Sequence, residues 1–196
     1  MEPAGQYDAM IRSLARPEAY PHRPAGAQHI QTHISHVFLA GDRVYKLKKP
    51  VRFDFLDFST VQAREHACRE ELRLNRRLAP ETYLGVVPII RTASGKYQFA
   101  GQEGEAVEWA VEMQRLPTEL TLDSLYRRGE LTSDHIARLS AALVRWYPSL
   151  PALAFSPDDY RERYMAHVRG NLRELLAAGH HLPRGVVERI HGFHFQ

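Results

Sequence analysis

Up to residue 117 the apolar positions of this chain tend to alternate with polar ones, and beyond it they recur at helical spacing. The runs 30–33, 37–40 and 43–49 read as three short β-strands, because a strand facing a core on one side has a period of two. Gly41-Asp42 supplies the turn between the second and third, and Pro50 ends the third, since proline cannot donate to a strand ladder. A long helix is expected over about 60–78, N-capped by Ser59 and stopped at Ala79-Pro80. Strands are expected again at 83–90 and 96–99, on either side of Ser94-Gly95. A further run at 107–113 enters the connector Gln114-Arg115-Leu116-Pro117.

This order predicts an α+β fold, with an antiparallel sheet of about five strands packed by one long helix. A short helix around 8–14 and an extended, proline-bearing linker over 17–26 precede the sheet. After 117, Leu122, Leu125 and Tyr126 mark a short helix ended by Gly129. Ser133 is expected to cap a second, with Ile136, Leu139, Leu143 and Trp146 at core spacing. Pro157-Asp158 opens a third, and 183–195 reads as a fourth. The expected domains are therefore 1–26, helix and linker; 27–117, the sheet-bearing lobe; and 118–196, a helical part.

Composition adds limits. With 196 residues, 44% of them apolar, the chain can bury a real core. Its formal charge of +3 comes from interleaved acids and bases, which suggests a local anion site rather than a nucleic-acid surface. Cys68 is the only cysteine, which excludes an internal disulfide and a Cys-rich zinc site and fits a reducing compartment. Residues 1–16 lack a signal-like apolar run and no segment is long and apolar enough to span a bilayer, so a cytoplasmic location without membrane partners is expected.

Candidate chemistry sits in Val44-Tyr45-Lys46-Leu47-Lys48-Lys49 and, about one helix later, Arg69-Glu70-Glu71-Leu72. Lys46 and Lys48 share one strand face and Lys49 points away. Lys46 is preferred because Val44, two residues earlier, would wall an adenine ring, with Lys48 as the alternative. At roughly 100° per residue, Glu71 falls within the apolar arc of Val61, Cys68, Leu72, Leu74 and Leu78, whereas Glu70 lies off its edge. A carboxylate on a buried stripe needs a cation, and Lys46 is the expected partner. A strand lysine held by a helix glutamate is how kinase-type phosphotransferases grip ATP phosphates.

The motifs Ile30-Gln31-Thr32-His33-Ile34-Ser35, Val44-Tyr45-Lys46-Leu47-Lys48-Lys49-Pro50-Val51, Phe55-Leu56-Asp57-Phe58-Ser59-Thr60 and Glu71-Leu72-Arg73-Leu74-Asn75-Arg76-Arg77-Leu78-Ala79-Pro80 carry a family likeness. Over most of 17–150 the chain resembles the N-terminal part of the aminoglycoside-phosphotransferase-like proteins of the protein-kinase-like fold. More narrowly, it resembles a bacterial branch often fused to a C-terminal P-loop kinase domain. The resemblance implies a kinase-like small lobe over 27–117, a hinge, and an incomplete helical large lobe. It implies ATP as ligand, with Lys46 on the phosphates, Glu71 orienting it, and Met113-Gln114-Arg115-Leu116 as a hinge whose backbone at Gln114 and Leu116 pairs with adenine. There is no G-x-G-x-x-G. The first turn, expected at Ile34-Ser35-His36, would give backbone N–H groups and Ser35 to the phosphates. The implied partners are a nucleotide and either a C-terminal kinase domain or the rest of a large lobe.

One departure from the family limits the activity expected. Phosphoryl transfer needs a catalytic-loop Asp plus Asn and Asp ligands for magnesium, and family members carry an HGDLH-like loop. No Asp follows Asp159, and His191-Gly192-Phe193-His194 lacks one. No catalytic residue is therefore expected within the chain, nor phosphoryl transfer by it alone, and magnesium is expected only if the missing lobe is supplied. Asp158 and Asp159 read as helix caps. His33/His36, His191/His194 and His180-His181 have ligand-like spacing, but nothing links them and no metal is expected. Two alternatives are a non-catalytic nucleotide-binding or regulatory module and, last, a nucleic-acid binder using the arginine-rich helix, whose Glu65, Glu70 and Glu71 interrupt the basic surface.

Overall fold

The computed structural model describes residues 4–53, 55–99, 104–152, 154–177 and 182–193. The chain divides into two compact units, 1–138 and 139–196. The first is α+β and opens with helix α1 (Ala4–Leu14) and a 3-10 turn at Pro17–Ala19. Strands β1 (Ala27–Gln31), β2 (Ser35–Ala40) and β3 (Arg43–Lys48) follow. A two-stranded hairpin, β4 (Arg52–Phe53) and β5 (Leu56–Asp57), leads into helix α2 (Val61–Asn75). Strands β6 (Tyr83–Arg91), β7 (Tyr97–Phe99) and β8 (Glu105–Gln114) complete the main sheet.

That sheet has six strands, all antiparallel, in the order β1-β2-β3-β8-β6-β7. About five were expected. The difference is β8, which does more than lead to the connector: it pairs with β3 on one side and β6 on the other, with Val111 opposite both Lys46 and Val86. Gly41 takes a left-handed φ of 63° in the β2–β3 turn, as the Gly41-Asp42 pair predicts. The first turn lies at 32–34 instead of 34–36, because Thr32 closes it: its Oγ1 accepts from Ser35 N–H at 3.0 Å, which leaves Ser35 and His36 in β2.

The two sheet faces are covered differently. On one, α1 and the turn after it bury Met10, Leu14 and Tyr20 against Phe38, Tyr45, Leu47 and Phe99. Tyr45 and Phe99 stack at 4.4 Å between centroids, a geometry that adds to plain area burial. The segment 17–26 is thus anchored rather than a free linker, since Tyr20 is buried and its hydroxyl donates to Leu14 O at 2.6 Å.

The other face is covered by α2. Thr60, not Ser59, is its N-cap, accepting from Ala63 N–H at 3.1 Å, because Asp57 holds Ser59 through both its N–H and its hydroxyl. Arg76 caps the helix at the other end and donates to the backbone carbonyls of Tyr83 and Leu84, so α2 stops three residues short of the expected Leu78. Cys68 is buried on the sheet side, whereas Leu74 and Leu78 of the expected apolar arc are exposed.

Helix α3 (Leu122–Arg127) follows, and Gly129 ends it at a φ of 69°. Helix α4 (Ser133–Trp146) runs across the unit boundary. Its cap is Thr132, one residue ahead of Ser133, with Oγ1 accepting from His135 N–H at 3.4 Å. Of the stripe expected to be core, Ile136 and Leu139 are exposed and Leu143 and Trp146 half-buried: an apolar stripe is buried only as far as another layer faces it. In the second unit, α5 (Pro157–Leu175) and α6 (Arg184–Phe193) bury Val168 and Val187. Asp159 and Ser156 form a capping box that opens α5, the role expected of Asp159; Asp158 lies in the same first turn. Among the described residues no helix is long and apolar enough to cross a membrane.

Candidate functional site

The two-residue period of β3 puts Val44, Lys46 and Lys48 toward α2, while Tyr45 and Leu47 enter the opposite core. From α2, Glu71 meets both lysines. Lys46 Nζ donates to Glu71 Oε1 at 2.9 Å, and Lys48 Nζ donates to Oε2. Lys46 and Lys48 are thus joint partners of one carboxylate. Glu70, one residue away and rotated by about 100°, pairs instead with Arg73 on the exposed side of the helix at 2.7 Å.

The three charged groups differ in their access to solvent. The Lys48 side chain is 7% exposed, that of Glu71 12% and that of Lys46 30%. Burial pushes the Glu71 carboxyl upward, but hydrogen bonds and charge from Lys46 and Lys48 outweigh it and hold the group below its ordinary value. Lys48 also lies 5.7 Å from the Phe58 ring centroid, a cation–π contact. Tyr83, at the start of β6, feels the same cluster: burial and the Glu71 carboxylate raise its phenol, and Lys46 pulls it back.

Around this cluster the remaining candidates take defined places. Val44 lies opposite Leu39 on β2 and opposite Met113 on β8, so a half-buried apolar strip runs beside Lys46. Gln114 N–H donates to Thr82 O at 2.8 Å, and Arg115 N–H donates to Asp42 O at 2.8 Å, which fixes the connector against two turns. Leu116, just beyond, is exposed. Ser35 lies opposite Lys48 and is fully buried, with an Oγ that has no hydrogen-bond partner. The first turn is tied down by Lys49, whose Nζ donates to Thr32 O at 2.7 Å.

A second ion pair lies deeper under the same helix. Arg64 donates to Glu108 Oε2 through Nε at 2.7 Å and through Nη2 at 2.6 Å, and its Nη1 donates to Phe58 O at 2.7 Å. Glu108 Oε1 accepts Trp109 N–H at 3.0 Å. The sequence reading missed this pair, along with Phe58 and Tyr83. Arg64 carried a usable signal, because it stands seven residues before Glu71 and therefore on nearly the same helix side.

The histidines gather differently from their spacing. His36 is paired not with His33, which is exposed, but with His29, Nε2 to Nδ1 at 2.8 Å. Burial, then His29 and Lys49, push the His36 imidazole down to about 4. His180, His181 and His194 lie outside the described residues. Among those described, no group of three His, Cys, Asp or Glu converges as metal ligands. The basic face of α2 is largely neutralised in place, with Arg69 on Glu65 and the Trp109 ring, Arg73 on Glu70, and Arg76 on backbone.

No family model matches the chain, and no solved structure matches it significantly. Over 117 residues it is 35% identical to an uncharacterized protein of Mycobacterium bovis and to uncharacterized proteins of two Mycobacterium tuberculosis strains. The alignment covers 60% of this chain and 22% of each relative, so the chain spans a little over a fifth of the length of the curated relatives it matches.

Proposed function

We propose that residues 27–117, within the first unit, form the nucleotide-binding small lobe of a kinase-like phosphotransferase of the aminoglycoside-phosphotransferase-like kind. The observation that carries this reading is the Lys46–Glu71 pair, with the more exposed of two strand lysines held at 2.9 Å by a helix carboxylate beside an apolar strip. A lysine fixed in this way presents its ammonium to an anionic ligand without first losing rotamer freedom. An adenine ring would lie along Leu39, Val44 and Met113, with the backbone of Gln114 and Leu116 at its edge. The triphosphate would reach Lys46 under the turn at 32–34.

The reading is one of binding. It concerns the anion-facing Lys46 and the apolar strip beside it, and makes no use of a metal. The test is an ATP titration of the full chain followed by NMR. Saturable shifts at Leu39, Val44, Lys46 and Met113, with a dissociation constant of about 1 mM, are expected, together with at least roughly tenfold weakening in Lys46→Met. Shifts scattered away from this strip, or an affinity unchanged in the variant, would overturn it.

A further inference from the structure

Glu71 has two cations where the proposed task needs one. If a lone lysine turned from its glutamate toward a phosphate, it would leave a buried carboxylate without a counter-ion, and an uncompensated buried charge is costly. Here the second lysine removes that cost. Lys48 holds Glu71 Oε2, lies over the Phe58 ring and is 7% exposed, whereas Lys46 holds Oε1 and is 30% exposed. Lys48 is enclosed further by Ser35 across the strand pair, itself fully buried.

We propose a division of labour in which Lys48 is the permanent counter-ion and positioning residue of Glu71, so that Lys46 is free to exchange its bond for an anionic ligand. For the identity of that ligand, a nucleotide polyphosphate, the inference rests on the proposed function. The asymmetry between the two lysines does not. It also accounts for the charge of the cluster: when Lys46 leaves, a neutral Lys48–Glu71 pair stays behind and the departing ammonium carries its full charge to the ligand.

The test is amine labelling of the full chain by reductive methylation, quantified lysine by lysine by mass spectrometry, with ATP titrations in parallel. In the wild type Lys46 should be modified and Lys48 protected. In Lys48→Met, Glu71 has only Lys46, so Lys46 labelling should slow by about threefold or more and ATP affinity should fall by a similar factor. Lys48→Arg, which restores a buried cation, should return both toward the wild-type values, and Lys48→Met combined with Glu71→Gln should release Lys46 to fast labelling again. A purely structural role for Lys48 predicts the opposite, with Lys46 labelling unchanged or faster in Lys48→Met, and that result overturns the proposal, as does equal labelling of both lysines in the wild type. If the labelling pattern holds while ATP fails to bind, the nucleotide reading falls and the division of labour stands.

Discussion

Two ion pairs join α2 to the sheet about two helical turns apart, and they are built with opposite polarity. At Arg64 the helix supplies the cation and β8 the carboxylate; at Glu71 the helix supplies the carboxylate and β3 two cations. The first is sealed, with side chains 6% and 2% exposed, while the second is open at the Lys46 corner, at 30%. The difference is one of exchangeability. A sealed pair cannot part without leaving a charge in a medium that solvates it poorly, whereas an open one can trade a partner for water or ligand. The sealed pair is therefore assigned to stability, and the proposed binding role falls to the open one.

The largest expected effect tests the sealed half. Arg64→Ala should destabilise the chain by about 3–5 kcal/mol, because Glu108 is left buried without its guanidinium. Denaturant unfolding measures this, and a loss below about 1 kcal/mol would place Arg64 with ordinary surface pairs. Cys68 offers an independent readout, since it lies between the two pairs and burial pushes its thiol up to about 12. Its alkylation at neutral pH then requires α2 to lift, so labelling should speed up markedly in Arg64→Ala and stay slow in Lys46→Met.

A smaller effect comes from the opposite sheet face, where His36 and His29 share a hydrogen bond with no charge between them. The unfolded His36 takes a proton near its ordinary 6.5, while the folded one resists until about 4, with burial, His29 and Lys49 opposing the charge and Asp8 favouring it. The unfolded state binds more protons across that window, so stability falls as pH drops from 6.5 to about 4, by about 3 kcal/mol. Below the ordinary carboxyl value of 4.5, Glu71 adds a further loss as its depressed folded value is crossed. Stability measured at stepped pH should flatten over the upper window in His36→Phe and over the lower one in Glu71→Gln. A curve unaltered by His36→Phe would show that the imidazole pair does not set the acid response.

The open pair gives a weaker stability signal and a clearer functional one. Lys46→Met should change unfolding free energy by under about 1 kcal/mol, since Lys48 still neutralises Glu71. A loss as large as that of Arg64→Ala would erase the contrast between the two pairs.

These contrasts were only partly legible in the sequence. The choice of Glu71 over Glu70 follows from helical spacing alone, because one residue of rotation carries a side chain from the sheet side to solvent. Lys46 and Lys48 could not be separated that way, since a strand places both on one face and only the position of the helix decides which it meets. Arg64–Glu108 spans 44 residues of chain, so the pairing depends on β8 entering the sheet centre, the step that the expectation of about five strands left out. Ser59 failed as a cap for a local reason, namely competition from Asp57. The α4 stripe has the correct period, yet periodicity states only which face would be buried if another layer covered it.

The smallest effect is the most exacting test of the helix face. Glu70 and Arg73 form a hydrogen-bonded pair as short as the pair at Lys46, yet their side chains are 39% and 60% exposed. Solvent screens such a pair and its long side chains lose rotamer freedom to make it, so the geometry by itself contributes little. Glu70→Gln should leave the unfolding midpoint, the labelling of Lys46 and any ATP titration where they are in the wild type, while Glu71→Gln moves all three. If the two neighbouring substitutions behave alike, proximity of charge, and not orientation toward the sheet, governs the site, and the distinction between sealed, open and exposed pairs on this one helix collapses.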